Sequence, residues 1–225
     1  ADGPEAIQIV LFSVIHPQAG RYFIDTGISR VFQGSPDTWP VNSVIRGAMN
    51  MEALRIHSVT ADVLKQGSAA GVFVTHLHLD HILGSSDIPS DVPFYVGPNE
   101  AGHRHWQNLV VQGSTDELLG QGRLLRELDF NTDGPAVSDY FGDGSFFIAH
   151  VPGHTPGSLA FVAVTPGGVH LMTGDTCHTA WGWKNNVPPG SFTRDATGNV
   201  RSLKLLKDLA GQIPGIHVHP GHQSL

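Results

Sequence analysis

The stretch from Val72 to His81 constrains this chain more than any other. An apolar run, Val72-Phe73-Val74, passes directly into Thr75-His76-Leu77-His78-Leu79-Asp80-His81. A short apolar run of this kind reads as a buried strand. The four metal-capable side chains that follow it are therefore delivered to one rim of a sheet. His76 and His78 are two apart, so in extended backbone they share a face. Asp80 and His81 come where the chain must turn, and they can aim at a neighbouring point. That placement suits two metal ions side by side better than one.

With 225 residues the chain is expected to form a single domain over 1–225. A hydrophobic content of 40% is enough for a sizeable core, and 27 Gly with 15 Pro predict many loops. The formal charge of −7 argues against a nucleic-acid binder, which would show a basic patch. The 14 His residues are not spread evenly: they concentrate at 76–81 and again at 217–222. The single cysteine, Cys177, excludes an internal disulfide. No apolar run approaches the length of a membrane-spanning helix. No signal peptide is visible, yet the chain begins Ala-Asp-Gly rather than Met, so a processed product stays open and both a cytoplasmic and an exported location are compatible with it.

Ile7 to Ile15 and Arg21 to Ile24 read as two strands joined through His16–Gly20 as a hairpin. Residues 33–43 form a polar, Pro-rich loop. Residues 51–66 carry Leu54, Val59, Val63 and Leu64 at helical spacing, with Thr60 as N-cap. Strands are expected at 72–75 and 94–96, and a helix over 98–112 carrying His103 and His105 on its surface. Phe146–Val151, Leu159–Val164 and Val169–Met172 read as three successive strands. Residues 201–212 form an amphipathic helix with Leu203, Leu206, Leu209 and Ala210 on one side. Ile216–His219 is a last short strand.

The metal candidates fall at strand ends. His76, His78, Asp80 and His81 follow one strand, His154 another, Asp175 a third and His222 the last. Five imidazoles and two carboxylates make an N/O donor set suited to zinc and acceptable to iron, manganese or cobalt. The plainer readings are a turn histidine between prolines for His154, an Asp turn for Asp175, and a strand face for His217 and His219, which leaves His222 as the candidate ligand in that segment. Asp25-Thr26-Gly27 matches an aspartic-protease triplet, but that chemistry needs two carboxylates sharing a proton and no second triplet exists. Asp25 is read instead as support beneath a ligand histidine, and Cys177 as a buried small residue.

Taken in order, THLHLDH at 75–81, PGHTPGS at 152–158, TGDT at 173–176 and PGH at 220–222, with DTG at 25–27, resemble the metallo-β-lactamase-fold hydrolases. The likeness covers about residues 7 to 222. It implies an α/β (α+β in some schemes) four-layer αββα sandwich of two mixed β-sheets flanked by helices. It also implies two divalent metal ions, zinc first among them. His76, His78 and His154 would hold one ion, Asp80, His81 and His222 the other, and Asp175 would bridge them. A hydroxide shared by the ions would attack a carbonyl, with Asp80 orienting it or carrying a proton to the leaving group.

Within the family the pattern is most similar to acyl-homoserine-lactone lactonases, the quorum-quenching branch. Asp175 weighs against true β-lactamases, the absence of basic additions against RNA processing, and His78 against the flavin-linked di-iron branch. Only three residues follow His222, which weighs against the glutathione-thioester branch. One position departs: the lactonases commonly have Tyr three residues after the bridging Asp, and here it is His178. An imidazole there can donate to a developing oxyanion, so Asp80 and His178 are the catalytic candidates. Trp39, Met49–Met51, Trp181 and Trp183 are candidates for an apolar wall. The expected partner is a small-molecule lactone or related carboxylic ester, with no nucleic acid and no membrane; a homodimer is compatible. The alternatives are a thioesterase, a β-lactamase-like amide hydrolase, a mononuclear-iron sulfur dioxygenase, or a non-catalytic scaffold.

Overall fold

The computed structural model describes residues 7–102, 109–120, 122–130, 136–190 and 192–223. Its backbone divides into two compact units, one of Ile9–Tyr95 with Gly102–Arg126, the other of Ala1–Gln8, Val96–Ala101 and Glu127–Leu225.

In the unit that begins at Ile9, β1 (Phe12–His16) and β2 (Gly20–Ile24) form the expected hairpin, antiparallel with Phe12 opposite Ile24. The strand starts later than the apolar pattern suggested, since Ile7 to Leu11 are not in a strand. Gly20 turns the corner at φ +90, a conformation that costs glycine little. Helix α1 (Ser43–Ala48) is capped by the Asn42 side chain, which accepts from Ile45 N. Helix α2 covers only Thr60–Leu64, and its N-cap is Val59 rather than Thr60. The Thr60 hydroxyl instead donates to the Thr26 and Ile28 carbonyls. Residues 54–59 are not helical, so the spacing of Leu54 and Val59 reflects burial in an irregular segment.

Strand β3 (Gly71–Phe73) pairs in parallel with β2, and β4 (Phe94–Val96) in parallel with β3. Gly71 is needed in the strand because a Cβ there would lie 2.8 Å from the Tyr95 ring. Helix α3 (Leu79–Ile82) is a single turn directly after the His76/His78 segment. Helix α4 occupies Leu109–Leu119, later in the chain than the expected 98–112; His103 and His105 lie outside the described residues. Strand β5 (Leu125–Glu127) completes a five-stranded sheet in the order β1-β2-β3-β4-β5. Arg123 locks the approach to β5: its guanidinium donates to the carbonyls of Ser85, Ile88, Pro89 and Leu119 and covers the Phe94 ring at 4.6 Å.

The second sheet has the order β10-β9-β8-β7-β6. Its strands are β6 (Ala136–Asp139), β7 (Phe146–His150), β8 (Leu159–Thr165), β9 (Gly168–Met172) and β10 (His217–His219). The three central strands are the three that the sequence predicted, antiparallel to one another, while β10 joins β9 in parallel. Both sheets are thus mixed, as expected.

Helix α5 (Ala180–Asn185) starts at Thr179, whose hydroxyl accepts from Gly182 N, and stops at Asn186 in the left-handed region. Helix α6 (Ala196–Gln212) begins five residues before the amphipathic pattern, where the Asp195 carboxylate caps Gly198 N. Leu203 and Leu206 are buried on it as predicted. Leu206 joins Val151, Val162, Leu171 and Val218 in one cluster, with Leu209, Ala210 and Trp183 packed alongside. Truncating a fully buried leucine in such a cluster costs roughly 2–5 kcal/mol, so α6 is anchored to its sheet by a few side chains. Among the described residues no helix is long and apolar enough to cross a membrane.

Candidate metal centre

In the Ile9 unit, the parallel pairing of β2 and β3 places two chain segments side by side as they leave the sheet. Asp25 N donates to Phe73 O at 2.8 Å, which aligns Asp25 with the residues after β3. Asp25 has φ 56, a conformation that Asp tolerates better than most residues. Its carboxylate accepts from Thr75 N at 2.7 Å, from Thr75 Oγ1 at 3.0 Å and from His81 Nδ1 at 2.8 Å. Asp25 therefore supports His81, as the sequence predicted. Thr26 fastens the same turn, since its N–H and hydroxyl both donate to His81 O. Gly84 packs against this turn so closely that a Cβ would fall 1.8 Å from Thr26 O.

The motif itself closes on one point. The rings of His76 and His78 are 4.4 Å apart, and those of His76 and His81 are 4.2 Å apart. Asp80 Oδ2 is 3.9 Å from His81 Nε2. His76 and His81 are buried, while His78 and Asp80 are half-buried. Helix α3 explains this convergence: one helical turn after His78 swings Asp80 and His81 back toward the two preceding imidazoles.

In the other unit, α6 braces two turns. Gly153 lies against its first turn, where a Cβ would meet Asn199 N at 2.2 Å. Ser202 Oγ donates to Pro152 O, and Asn199 Nδ2 donates to Thr176 O at 3.0 Å. His154 and Asp175 are held from one helix in this way. His154 Nε2 is 3.5 Å from Asp175 Oδ2, and His222 Nε2 is 3.2 Å from either Asp175 oxygen. His178 Nε2 lies 2.8 Å from Asp175 Oδ2. His154, Asp175 and His178 have ligand atoms mutually close enough to share an ion. His178 thus stands beside the Asp175 carboxylate. Its side chain is 33% exposed against 4% or less for Asp175, His154 and His222, while its Nε2 is buried against the carboxylate.

The orientation of the imidazoles tests the fit to a metal. His81 Nδ1 is engaged by Asp25, His154 Nδ1 by Thr193 Oγ1 at 3.1 Å, and His222 Nδ1 by Gln8 O at 2.9 Å. Occupying Nδ1 in this manner fixes the ring and directs Nε2 at the ion, the usual arrangement around metal-bound histidine. The donors are all nitrogen and oxygen, consistent with zinc and its borderline neighbours. The residues present fit divalent metal ions.

Thr75, Thr193, Asn199 and the Gln8 carbonyl were not found from sequence. Thr75 carried a signal, since it stands at the start of the motif. The other three are remote in sequence from the histidines and turns they hold, and nothing in their local pattern marks them.

Cys177 is fully buried, and burial pushes its thiol up to about 11, so it is a packing residue. The apolar wall is revised in part. Met51 is a core residue, and Trp183 packs on the α6 cluster under Lys207. Trp181 is 64% exposed, and Trp39 packs edge-on against Phe32. His217 and His219 sit on one strand face beside His170, as expected from their alternation along the last strand.

Residues 61–222 match the metallo-beta-lactamase superfamily model, and the chain belongs to that superfamily. It is 26% identical to the N-acyl homoserine lactonase AttM of Azorhizobium caulinodans, over 96% of this chain and 82% of that protein. It is 27% identical to the gamma-lactamase FDB1 of Fusarium pseudograminearum over 68% of this chain and 40% of the relative. A match to the cytochrome P450 monooxygenase mpaDE of Penicillium roqueforti, 35% identical, covers 47% of this chain and 14% of the relative. The chain thus spans less than half the length of each of these last two. A crystal structure of a quorum-quenching N-acyl homoserine lactone lactonase superposes with TM-score 0.65 at 20% identity, over 94% of this chain and 78% of that one. The fold is the metallo-β-lactamase fold.

Proposed function

We propose that the chain is a dinuclear metal-dependent hydrolase that opens a lactone or a related carboxylic ester. His76, His78 and His154 serve one ion, Asp80, His81 and His222 the other, and Asp175 both. The observation that carries this reading is the anchoring of His81, His154 and His222 through Nδ1, which prepares three histidines from separate segments to ligate through Nε2. A superfamily model running from 61 to 222 includes every one of these residues. The lactonase AttM, matched over nearly the whole chain, supports the ester class, and the gamma-lactamase keeps a cyclic amide as the second substrate to test.

Bound there, divalent ions supply Lewis-acid polarisation of the carbonyl and lower the pKa of water to about 7. The chain contributes the rest. His178, the most exposed of the groups around Asp175, donates a proton from its imidazole toward the carbonyl oxygen as negative charge develops. Asp80, half-buried beside His81, carries a proton to the departing alkoxide. Asp25 and Thr193 do not touch substrate; they hold His81 and His154 still.

Elemental analysis of the purified protein, with a panel of lactones, lactams, thioesters and β-lactams, tests this function. Two metals per chain, lactone hydrolysis lost on chelation and restored by zinc, and no oxygen uptake are expected. One iron per chain with oxygen consumption would replace this reading by a dioxygenase, and hydrolysis indifferent to chelators would end it.

A further inference from the structure

Away from these ligands, three imidazoles gather on one face of the second sheet. His170 on β9 is the direct parallel partner of His217 on β10, so their side chains leave the sheet on the same side. His219, two residues on, joins them. His170 Nδ1 is 3.1 Å from His219 Nε2, with the ring planes inclined by 19°. The His217 ring lies 4.9 Å from that of His170. Gly168 makes room for it: a Cβ at 168 would come within 3.2 Å of His217 Cδ2 and Nε2. His217 is exposed and the other two are half-buried, so solvent and solutes reach the cluster.

We propose that His170 and His219 form a chelating pair for a divalent transition-metal ion such as zinc, nickel or copper(II), with His217 adding a third nitrogen after a side-chain rotation. The spacing suits chelation. Zinc–nitrogen bonds of about 2.0–2.1 Å in a tetrahedral site put two ligand nitrogens roughly 3.3 Å apart, close to the 3.1 Å between these rings. A modest turn of either ring brings both lone pairs onto one ion. Each neutral imidazole keeps one proton, on the nitrogen turned away from the metal. Binding therefore needs only a tautomer change in the ring that now donates, with no change in protein charge. Burial first, and then the neighbouring His170 and His217, hold the His219 imidazolium below the ordinary range, which favours the ligating form at neutral pH.

Metal-replete protein dialysed against graded free zinc, then counted for metal per chain, tests the proposal. Wild type holds one more ion per chain than either His170→Gln or His219→Gln, whatever number the other ligands retain. His217→Gln weakens the extra ion several-fold without removing it. Added copper(II) gives an electron-spin signal coupled to two imidazole nitrogens in wild type and to one in each single variant of the pair. Hydrolysis is unchanged in His170→Gln. Equal metal counts in wild type and both pair variants, or a copper signal that none of the substitutions alters, would overturn the assignment.

Discussion

Gly221 presses directly on Asp175: a Cβ at position 221 would stand 2.3 Å from Asp175 Oδ1. No L-side chain fits there without moving either the carboxylate or the backbone that carries His222. Gly221 N also donates to Cys177 O, and His222 N to His178 O, so the segments that carry Asp175 and His222 are laced together at this contact. Gly221→Ala should leave the fold intact by circular dichroism while lowering zinc affinity by about 10-fold or more, a loss of the size seen when the surroundings of a ligand are disturbed. Competition with a chromophoric chelator reads it, and unchanged affinity would show that the carboxylate can yield at no cost.

Asp25 is buried with three donors on its carboxylate. Asp25→Ala removes the acceptor that orients His81 and leaves Thr75 N–H without its carboxylate. The expected result is a roughly 10–100-fold fall in metal affinity together with a lower melting temperature. Asp25→Asn should fall between, because its carbonyl oxygen can still accept from His81 Nδ1 while its NH2 group cannot accept from Thr75 N.

His178→Phe preserves a ring of similar size and removes the donor beside Asp175. If the imidazole stabilises the oxyanion, kcat for lactone opening falls by about 100-fold or more while KM changes little, and His178→Tyr restores part of it. A variant that loses metal in proportion to activity would instead mark His178 as a ligand, a role compatible with its 2.8 Å approach to the Asp175 carboxylate.

Cys177 gives the protein an alkaline weakness. Burial holds its thiol near 11, against about 8.5 in an unfolded chain. An acid whose folded value is raised keeps its proton in the native state while the unfolded state loses it. Its contribution is therefore fully present below the unfolded value and fades as pH climbs from about 8.5 toward 11. Urea midpoints should fall across that window, and less steeply in Cys177→Ala. The native thiol should also resist alkylation at about pH 8, reacting only after denaturation.

The elements that the sequence revealed were those whose pattern is set by burial. Phe146–His150, Leu159–Thr165 and Gly168–Met172 are apolar runs bounded by turns, and they emerged as β7, β8 and β9. The histidines and acids proposed for the centre stand out in the sequence because the motif compresses four of them into six residues and the other turns carry their own glycine signatures. What stayed hidden was either exposed or dependent on distant partners. Strand β6 alternates no strong apolar face. Thr60 read as a cap because its hydroxyl suits that role, yet that hydroxyl satisfies carbonyls from the Thr26–Ile28 segment. Thr193 and Asn199 act across folded distance, and a linear pattern holds no record of it.

The ring of His222 takes its bearing from Gln8, but from the carbonyl of the main chain and not from the side chain. A peptide oxygen is the same whichever amino acid supplies it. Any residue but proline at position 8 therefore supplies both this acceptor and the N–H that donates to His222 O, whereas the hold on His81 is lost with the Asp25 side chain.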